Sequence, residues 1–296
     1  LKKLGALKTK QLLSREVAKA AQDLASFTAA PLGLILKNIL PKIMLVDSGH
    51  KKKKKSAETP EIKTDEKILA EKLVLQDTDA ERLSFYKSLT REALAKKQSI
   101  LICEPTMTDL LTAKPILEKG IEHYTVALYS QLNQKSLEEN WERILSDPKP
   151  LLILTTPTFL ALPRADLHTI IIDRESAGSY RTMTRPFLDY RRFAELLAEN
   201  TGSRLLLGDI ILRPETMWQV EQKTFTASRA PKQRLDTAGR TRVSNPKSGE
   251  LWSEEVRAFL TEQILPSDKL FLLANRRGLS PLIVCDDCGE SVTCHN

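Results

Sequence analysis

Residues 151–176 read "LLILTTPTFLALPRADLHTIIIDRES", two short apolar runs that each end in polar residues, with prolines between them. Runs of this length, apolar throughout, suit strands buried on both faces of a parallel sheet. Working outward, the same kind of run recurs as "KLVLQ" (72–76), "SILICEP" (99–105), "YTVALYS" (124–130) and "SRLLLGDI" (203–210). Between them lie amphipathic helical patterns: "AERLSFYKSLTREALAKK" (80–97), "LLTAKPILEKG" (110–120), "KSLEENWERILSD" (135–147) and "RPFLDYRRFAELLAEN" (185–200). Strands alternating with helices in this way predict an α/β lobe, a mainly parallel sheet with helices on both faces. In such a sheet ligands bind beyond the carboxyl ends of the strands, so the turn after each strand is where chemistry is expected.

The chain has 296 residues, 41% apolar and 28% charged, enough for two domains with a substantial core. No run of 18 or more apolar residues occurs, so no membrane span is expected. The first residues, "LKKLGALKTKQLL", lack the long apolar segment and cleavage site of a signal peptide. Four cysteines, one internal and three clustered near the C-terminus, do not resemble a disulfide framework and fit a reducing, cytoplasmic setting. Cys103, within an apolar run, reads as a buried strand residue. The net charge of +7 is unevenly placed, with basic segments at 49–56 and 228–249 that suit a polyanion partner. The lysine run at 51–55 equally suits a solvated linker.

Residues 1–46 have a helical pattern in which Leu13, Val17, Ala20, Ala21 and Leu24 share one face. Residues 47–66 carry Gly, Pro, Ser and lysines without apolar periodicity, and an interdomain linker is expected there. The α/β lobe is then expected over 67–220, and a further segment over 221–296.

Three sets of residues stand out as candidates. The run "HTIIIDRE" delivers Asp173 and Glu175 to a strand end, where an acidic residue can hold the magnesium of a nucleotide. The loop that follows, "SAGSYRTMTRPFLDYRRF", interleaves aromatic residues with arginines, as single-strand binding by stacking and phosphate contact requires. Phe193, Leu196 and Leu197 have helical spacing and read as core, so Tyr180, Arg181 and Arg185 are the DNA-contact candidates. Trp141, Trp218 and Trp252 lie in amphipathic patterns and read as packing residues. Lastly, Cys285 and Cys288 are spaced C-x2-C and followed by Gly289, the form of a zinc knuckle in which a tight turn brings two thiolates to one ion. Cys294 is the third expected ligand and His295 the one other candidate nearby, so the site is incomplete for tetrahedral Zn2+.

In their order these pieces resemble the primosomal protein N′ (PriA) family, superfamily 2 helicases that restart stalled replication forks. "NRRGLSPLIVCDDCGESVTCHN" looks like the family's segment entering its zinc-binding insertion, and "SILICEP" like motif Ia. The stretch 151–176 looks like motif Ib through motif II, and the loop after it like the aromatic-rich DNA-contacting loop. "LASFTAAPLGLILKNILP" resembles the end of an N-terminal DNA-binding domain, and "RLLLGDIILRPETM" stands where motif III belongs. The resemblance implies a RecA-like (P-loop NTPase-type) lobe over 67–220 and the start of a second lobe with a zinc knuckle. It also implies DNA as partner, forked or single-stranded, with Arg276 and Arg277 of the "NRRG" turn as further contacts. Primosome and single-strand-binding proteins are implied as protein partners, and a nucleoid-associated place in the cytoplasm.

The departures concern the nucleotide site. Where the family's glycine-lysine phosphate loop belongs, this sequence reads "QDTDAERL". Glycines there let backbone N–H groups converge on phosphates and a lysine neutralises charge. Asp77, Asp79 and Glu81 present carboxylates instead. Motif II keeps Asp173 but has Arg174 where the catalytic glutamate belongs, and motif III has become Asp209, Ile210 and Ile211. ATP and Mg2+ binding are therefore expected to be severely weakened, leaving a non-catalytic DNA-binding, primosomal protein with no catalytic residue. The alternatives are an active ATP-dependent 3′–5′ DNA helicase whose site uses other residues, and a zinc-ribbon protein unrelated to replication. The sequence is further expected to be a fragment, cut before the next cysteine of the zinc insertion.

Overall fold

The computed structural model describes residues 13–41, 70–162, 164–230, 243–244, 252–263, 271, 283–285 and 287–292. The linker expected at 47–66 lies outside them, as do the lysine run, Arg276, Arg277, Cys294 and His295. The chain divides into two compact units, Leu1–Arg234 and Leu235–Asn296.

The first unit is built on one seven-stranded sheet. Its strands are β1 (Lys72–Gln76), β2 (Ser99–Cys103), β3 (Thr125–Leu128), β4 (Leu152–Thr155), β5 (Leu167–Asp173), β6 (Arg204–Asp209) and β7 (Thr226–Ala227). Their order across the sheet is β3-β4-β2-β5-β6-β1-β7, and every pair is parallel. Parallel neighbours cannot be joined by a tight turn, so each connection crosses a face of the sheet. The crossings include α3 (Asp79–Ala95), α4 (Met107–Leu117), α5 (Gln134–Ser146), α6 (Tyr190–Thr201) and α7 (Pro214–Glu221). The result is the RecA-like, doubly wound lobe that the sequence led us to expect, and β2, β3 and β4 are buried along their whole length. The lobe extends past the expected end at 220 because β7 adds to the edge of β1 through Leu73 and Val74.

Two apolar clusters cover the faces. One contains Leu75, Ile100, Ile102, Leu110, Leu152 and Ile171. The other contains Leu101, Ile153, Ile170, Phe193 and Leu205, and it also takes in Val17, Ala20, Ala21 and Leu24 of α1 (Arg15–Thr28) and Ile35 and Ile39 of α2 (Leu32–Ile39). The face read from the sequence of α1 is the buried face. Ser14 starts that helix by accepting the Val17 N–H, and Ala29 ends it in the left-handed region at φ 50°. The N-terminal helices expected to finish a separate domain thus share the core of the lobe.

Of the tryptophans, Trp141 packs into the core and Trp252 is half-buried, but Trp218 is 60% exposed. Its helix, α7, is a short one with a single buried residue, Thr216, so Trp218 has no apolar face to join.

In the second unit a short helix, α8 (Glu254–Ala258), starts from Ser253. Further on, β8 (Ile283–Val284) and β9 (Ser291–Val292) form an antiparallel hairpin.

Candidate nucleotide site and DNA-contact loop

The carboxyl end of the sheet gathers the residues expected to hold a nucleotide. Asp173 ends β5, and Asp77 and Thr78 stand between β1 and α3. Here a phosphate would need free backbone N–H groups at the start of α3 and an open carboxylate for its magnesium. Neither is offered. The Thr78 hydroxyl caps the helix by accepting the Glu81 N–H at 3.3 Å. Asp79 and Glu81 in the first turn place negative charge where an anion would have to approach.

Asp173 is occupied by the protein itself. Arg82, one turn into α3 and only 1% exposed, donates from Nε to Asp173 Oδ1 at 2.8 Å and from Nη2 to Oδ2 at 3.2 Å. The Tyr86 hydroxyl, one turn further along the same helix, donates to Oδ1 at 2.7 Å. Burial pulls the Arg82 guanidinium toward neutrality, but the hydrogen bond and charge of Asp173 outweigh it and hold the group above its ordinary value. Burial likewise pushes the Tyr86 hydroxyl up, so it stays a donor. Arg82 also donates from Nη1 to the Asp77 carbonyl at 2.9 Å and from Nη2 to Asp79 Oδ1 at 2.8 Å.

The other acidic residues of the turn are paired in the same way. Arg174, in the left-handed region at φ 48°, bridges Asp79 Oδ2 at 2.6 Å and Asp109 Oδ1 at 2.7 Å. Arg229 reaches Asp77 Oδ2 at 2.6 Å. Glu175 is buried and accepts the Arg213 N–H and Nε–H, both at 2.6 Å, while its carbonyl accepts from Arg191 at 2.6 Å. Asp209, in the altered motif III, accepts the N–H groups of Ser176 and Ile210, both at 2.7 Å. Arginines thus meet the carboxylates expected to face a polyphosphate, and Asp173 and Glu175 become members of an internal ion-pair network. The sequence reading missed Arg82, Tyr86, Arg213 and Arg229. A signal did exist in Asp79 and Arg82, which stand at the i, i+3 spacing of a helical ion pair.

One carboxyl stays outside the network. Glu104, directly after β2 and 1% exposed, leaves Oε1 without a hydrogen-bond partner. Burial pushes its proton affinity up, and the neighbouring charges of Asp173 and Asp109 push it further.

The DNA-contact loop requires a correction. Tyr180 has no exposed surface, and its hydroxyl lies between the carbonyls of Cys103 at 2.8 Å and Asp173 at 2.7 Å, which share its one proton. It ties the end of β5 to the end of β2 and cannot stack on a base. Arg181 and Arg185 are exposed, and the loop between them is ordered by its own bonds. The backbones of Arg181 and Asp189 form an isolated antiparallel β-bridge, the Thr182 N–H donates to the Leu188 carbonyl at 2.9 Å, and the Leu188 N–H to the Thr182 hydroxyl at 2.7 Å. Its tip carries Met183 at 89% exposure and Phe187 at 48%. The exposed aromatic side chain of this loop is Phe187, not Tyr180.

In the second unit a turn carrying Cys285, Cys288 and Gly289 joins β8 to β9. The Gly289 N–H donates to the Cys285 carbonyl at 2.9 Å and the Cys285 N–H to the Glu290 carbonyl at 2.8 Å, with Gly289 at φ 71° as the turn requires. Cys285 and Cys288 are free and exposed, and N–H groups of Cys288 and Asp287 lower the proton affinity of Cys285. Among the described residues no group of three or more metal-ligating side chains comes together. No helix of the described residues is long and apolar enough to cross a membrane.

No family model matches the chain. Among curated proteins it is similar to the replication restart protein PriA of Rickettsia felis, 22% identical over 304 residues that cover 95% of this chain and 46% of that protein. It is similar to the PriA of Buchnera aphidicola subsp. Schizaphis graminum, 27% identical over 142 residues, 48% of this chain and 20% of that protein. The PriA of Bacillus subtilis is 24% identical over 227 residues, 73% of this chain and 28% of that protein. The chain therefore spans about half or less of the length of these relatives. Among solved structures, the C-terminal domain of the DEAD-box protein Dbp5 aligns with a TM-score of 0.41 at 11% identity, covering 57% of this chain and 94% of that one.

Proposed function

We propose that this chain is a PriA-like, DNA-binding component of replication restart whose nucleotide site has become an internal ion-pair network and no longer hydrolyses ATP. The observation that carries the reading is the occupation of Asp173 by Arg82 and Tyr86. A magnesium ion bound to a nucleotide would have to displace a buried guanidinium from its carboxylate. Removing one partner of a buried pair costs about 3–5 kcal/mol, because the other charge is left unpaired. The carboxylates of the first turn of α3 add repulsion for a polyphosphate, and no lysine answers it at that turn.

DNA is held, in this reading, by the loop over residues 181–189. Arg181 and Arg185 meet phosphates, and Phe187 with Met183 offers a base the apolar surface on which to stack. Cys285 and Cys288 supply two thiolates of a structural Zn2+ site whose other ligands come from outside the described residues.

The test is an ATPase assay with single-stranded and forked oligonucleotides, run beside an equilibrium binding titration of the same DNA. DNA binding without DNA-stimulated ATP hydrolysis is the expected result. DNA-stimulated turnover lost on Asp173→Asn would overturn the proposal and restore the active-helicase reading. Replacing Arg181 and Arg185 by Gln should reduce the salt slope of single-strand binding by about 0.7 for each phosphate left without its arginine, and Phe187→Ala should weaken binding by about 1–3 kcal/mol at any salt.

A further inference from the structure

At the opposite edge of the sheet three turns converge that the nucleotide site does not use. They are the turn from α3 into β2, the turn before β3 and the turn before β4. Together they enclose a shallow concavity of about 450 Å³ in which Arg91, Lys97 and Lys149 stand around a floor that includes Leu94, Ile121 and Tyr124. We propose that this concavity is a second contact for single-stranded DNA, taking one nucleotide with its base on Tyr124 and its phosphates on the three cations. The proposal rests on the reading that the chain holds DNA, but on none of the residues that carried it.

Charge is the first support. The carboxylates nearest in sequence are engaged elsewhere: Glu92 with Lys96, Glu118 with Lys114, and Asp147 with Arg143. Glu122 accepts the Gly120 N–H at 2.8 Å. Among the described residues no carboxylate side chain pairs with Arg91, Lys97 or Lys149. Three cations left unpaired around one depression repel each other, and an anion placed among them removes that cost.

The second support is the floor. Tyr124 is half-buried, and exposed His123 lies beside it with ring centroids 5.6 Å apart and planes 26° from parallel. Aromatic and aliphatic surface ringed by cations matches a nucleotide, which is apolar at the base face and anionic at the phosphate, whereas an inorganic anion would have no use for the floor. The third support is that the Arg91 side chain and the backbone of Lys97 are held in place. Lys97 sits in the left-handed region at φ 59°, its N–H bonded to the Leu94 carbonyl at 3.0 Å, and Arg91 donates to the Lys119 carbonyl at 2.9 Å. The Arg91 side chain therefore loses less freedom on binding than one on an unstructured tail, and the backbone that carries Lys97 is already fixed.

The experiment is fluorescence anisotropy of a labelled oligodeoxythymidine across a salt titration. It compares the wild type with Lys97→Gln/Lys149→Gln, with Tyr124→Leu and with Arg181→Gln/Arg185→Gln, each variant first shown to be folded by thermal melting. The lysine pair should lower the salt slope by roughly 1.4, at about 0.7 for each phosphate released. Tyr124→Leu should weaken binding by roughly five-fold or more with the slope unchanged. An oligonucleotide carrying 5-iododeoxyuridine should crosslink on irradiation to the peptide that holds Tyr124. Wild-type affinity and slope in both concavity variants, with the loop variant impaired, would overturn this site and leave the loop standing. A wild-type protein that binds no oligonucleotide would overturn both.

Discussion

Glu104 and Gly208 show how much depends on single side chains at the carboxyl edge of the sheet. Glu104 is buried with an unpartnered oxygen, and burial together with Asp173 and Asp109 raises its pKa well above the ordinary 4.5. Above the ordinary value the unfolded chain has released a proton that the folded chain retains. Stability therefore falls as pH rises from that point toward the raised value, by up to about 1.4 kcal/mol per unit. Glu104→Gln should flatten this part of the stability profile, as measured by urea unfolding from mildly acid to alkaline pH; an unchanged profile would mean that Glu104 is solvated or paired. Gly208 lies across from the same cluster. A Cβ there would stand 1.8 Å from the Tyr86 hydroxyl and 3.3 Å from Asp173 Oδ1. Gly208→Ala should destabilise the lobe by about 1–3 kcal/mol through overpacking, and adding Tyr86→Phe should recover part of that loss. Additive effects of the two changes would refute the contact. Both residues lie in stretches that the sequence marked as motifs, but neither was singled out as a candidate. A glutamate after an apolar run is ordinary, and a glycine in a strand reveals a close approach only when its neighbour is known.

At the scale of elements, most of the lobe was legible, because strands buried on both faces leave continuous apolar runs. "SILICEP", "YTVALYS" and "SRLLLGDI" contain β2, β3 and β6, and "HTIIIDRE" contains all of β5 but its first residue. The N-terminal helical face was legible because Val17, Ala20, Ala21 and Leu24 keep 3/4 spacing against a core. What stayed hidden is partnership between elements. Helix α3 reads as an ordinary charged amphipathic segment, yet Arg82 is among the most buried side chains of the lobe, because β5 brings Asp173 to it from 91 residues away. The loop misled for a related reason. Aromatic residues interleaved with arginines looked alike in sequence, but Tyr180 points back to the strand ends while Phe187 faces solvent. The pair between α3 and β5 can be tested directly. Arg82→Ala should cost about 3–5 kcal/mol, because it leaves the buried Asp173 without its cation. Adding Asp173→Asn should return part of that loss, since the uncompensated charge is then gone. If Arg82→Ala unfolds at the wild-type urea concentration, the pair is solvated and the nucleotide site is open after all.

For the whole molecule, what matters is which parts fold together. The sequence places a linker between residues 46 and 67 and so divides the N-terminal helices from the lobe, but α1 and α2 contribute to the same apolar cluster as β2, β4, β5 and α6. Asn200 of α6 also donates to Asp23 of α1 at 3.3 Å, and the Tyr190 hydroxyl to the Asn38 carbonyl of α2 at 3.1 Å. Elements that share one core lose it together, so unfolding of the N-terminal helices and of the sheet should be one transition. Leu24, fully buried in α1, is the probe. Leu24→Ala should lower the stability of the entire lobe by about 2–5 kcal/mol, seen as a shift of the urea midpoint with an unchanged slope. Circular dichroism and a probe of the sheet, such as hydrogen exchange at the amides of β2 and β5, should shift by the same amount. Loss of helical signal ahead of exchange in the sheet would mean that α1 and α2 form a separate domain resting on the lobe. In that case the boundary read from the sequence would stand, and the shared core would be an interface.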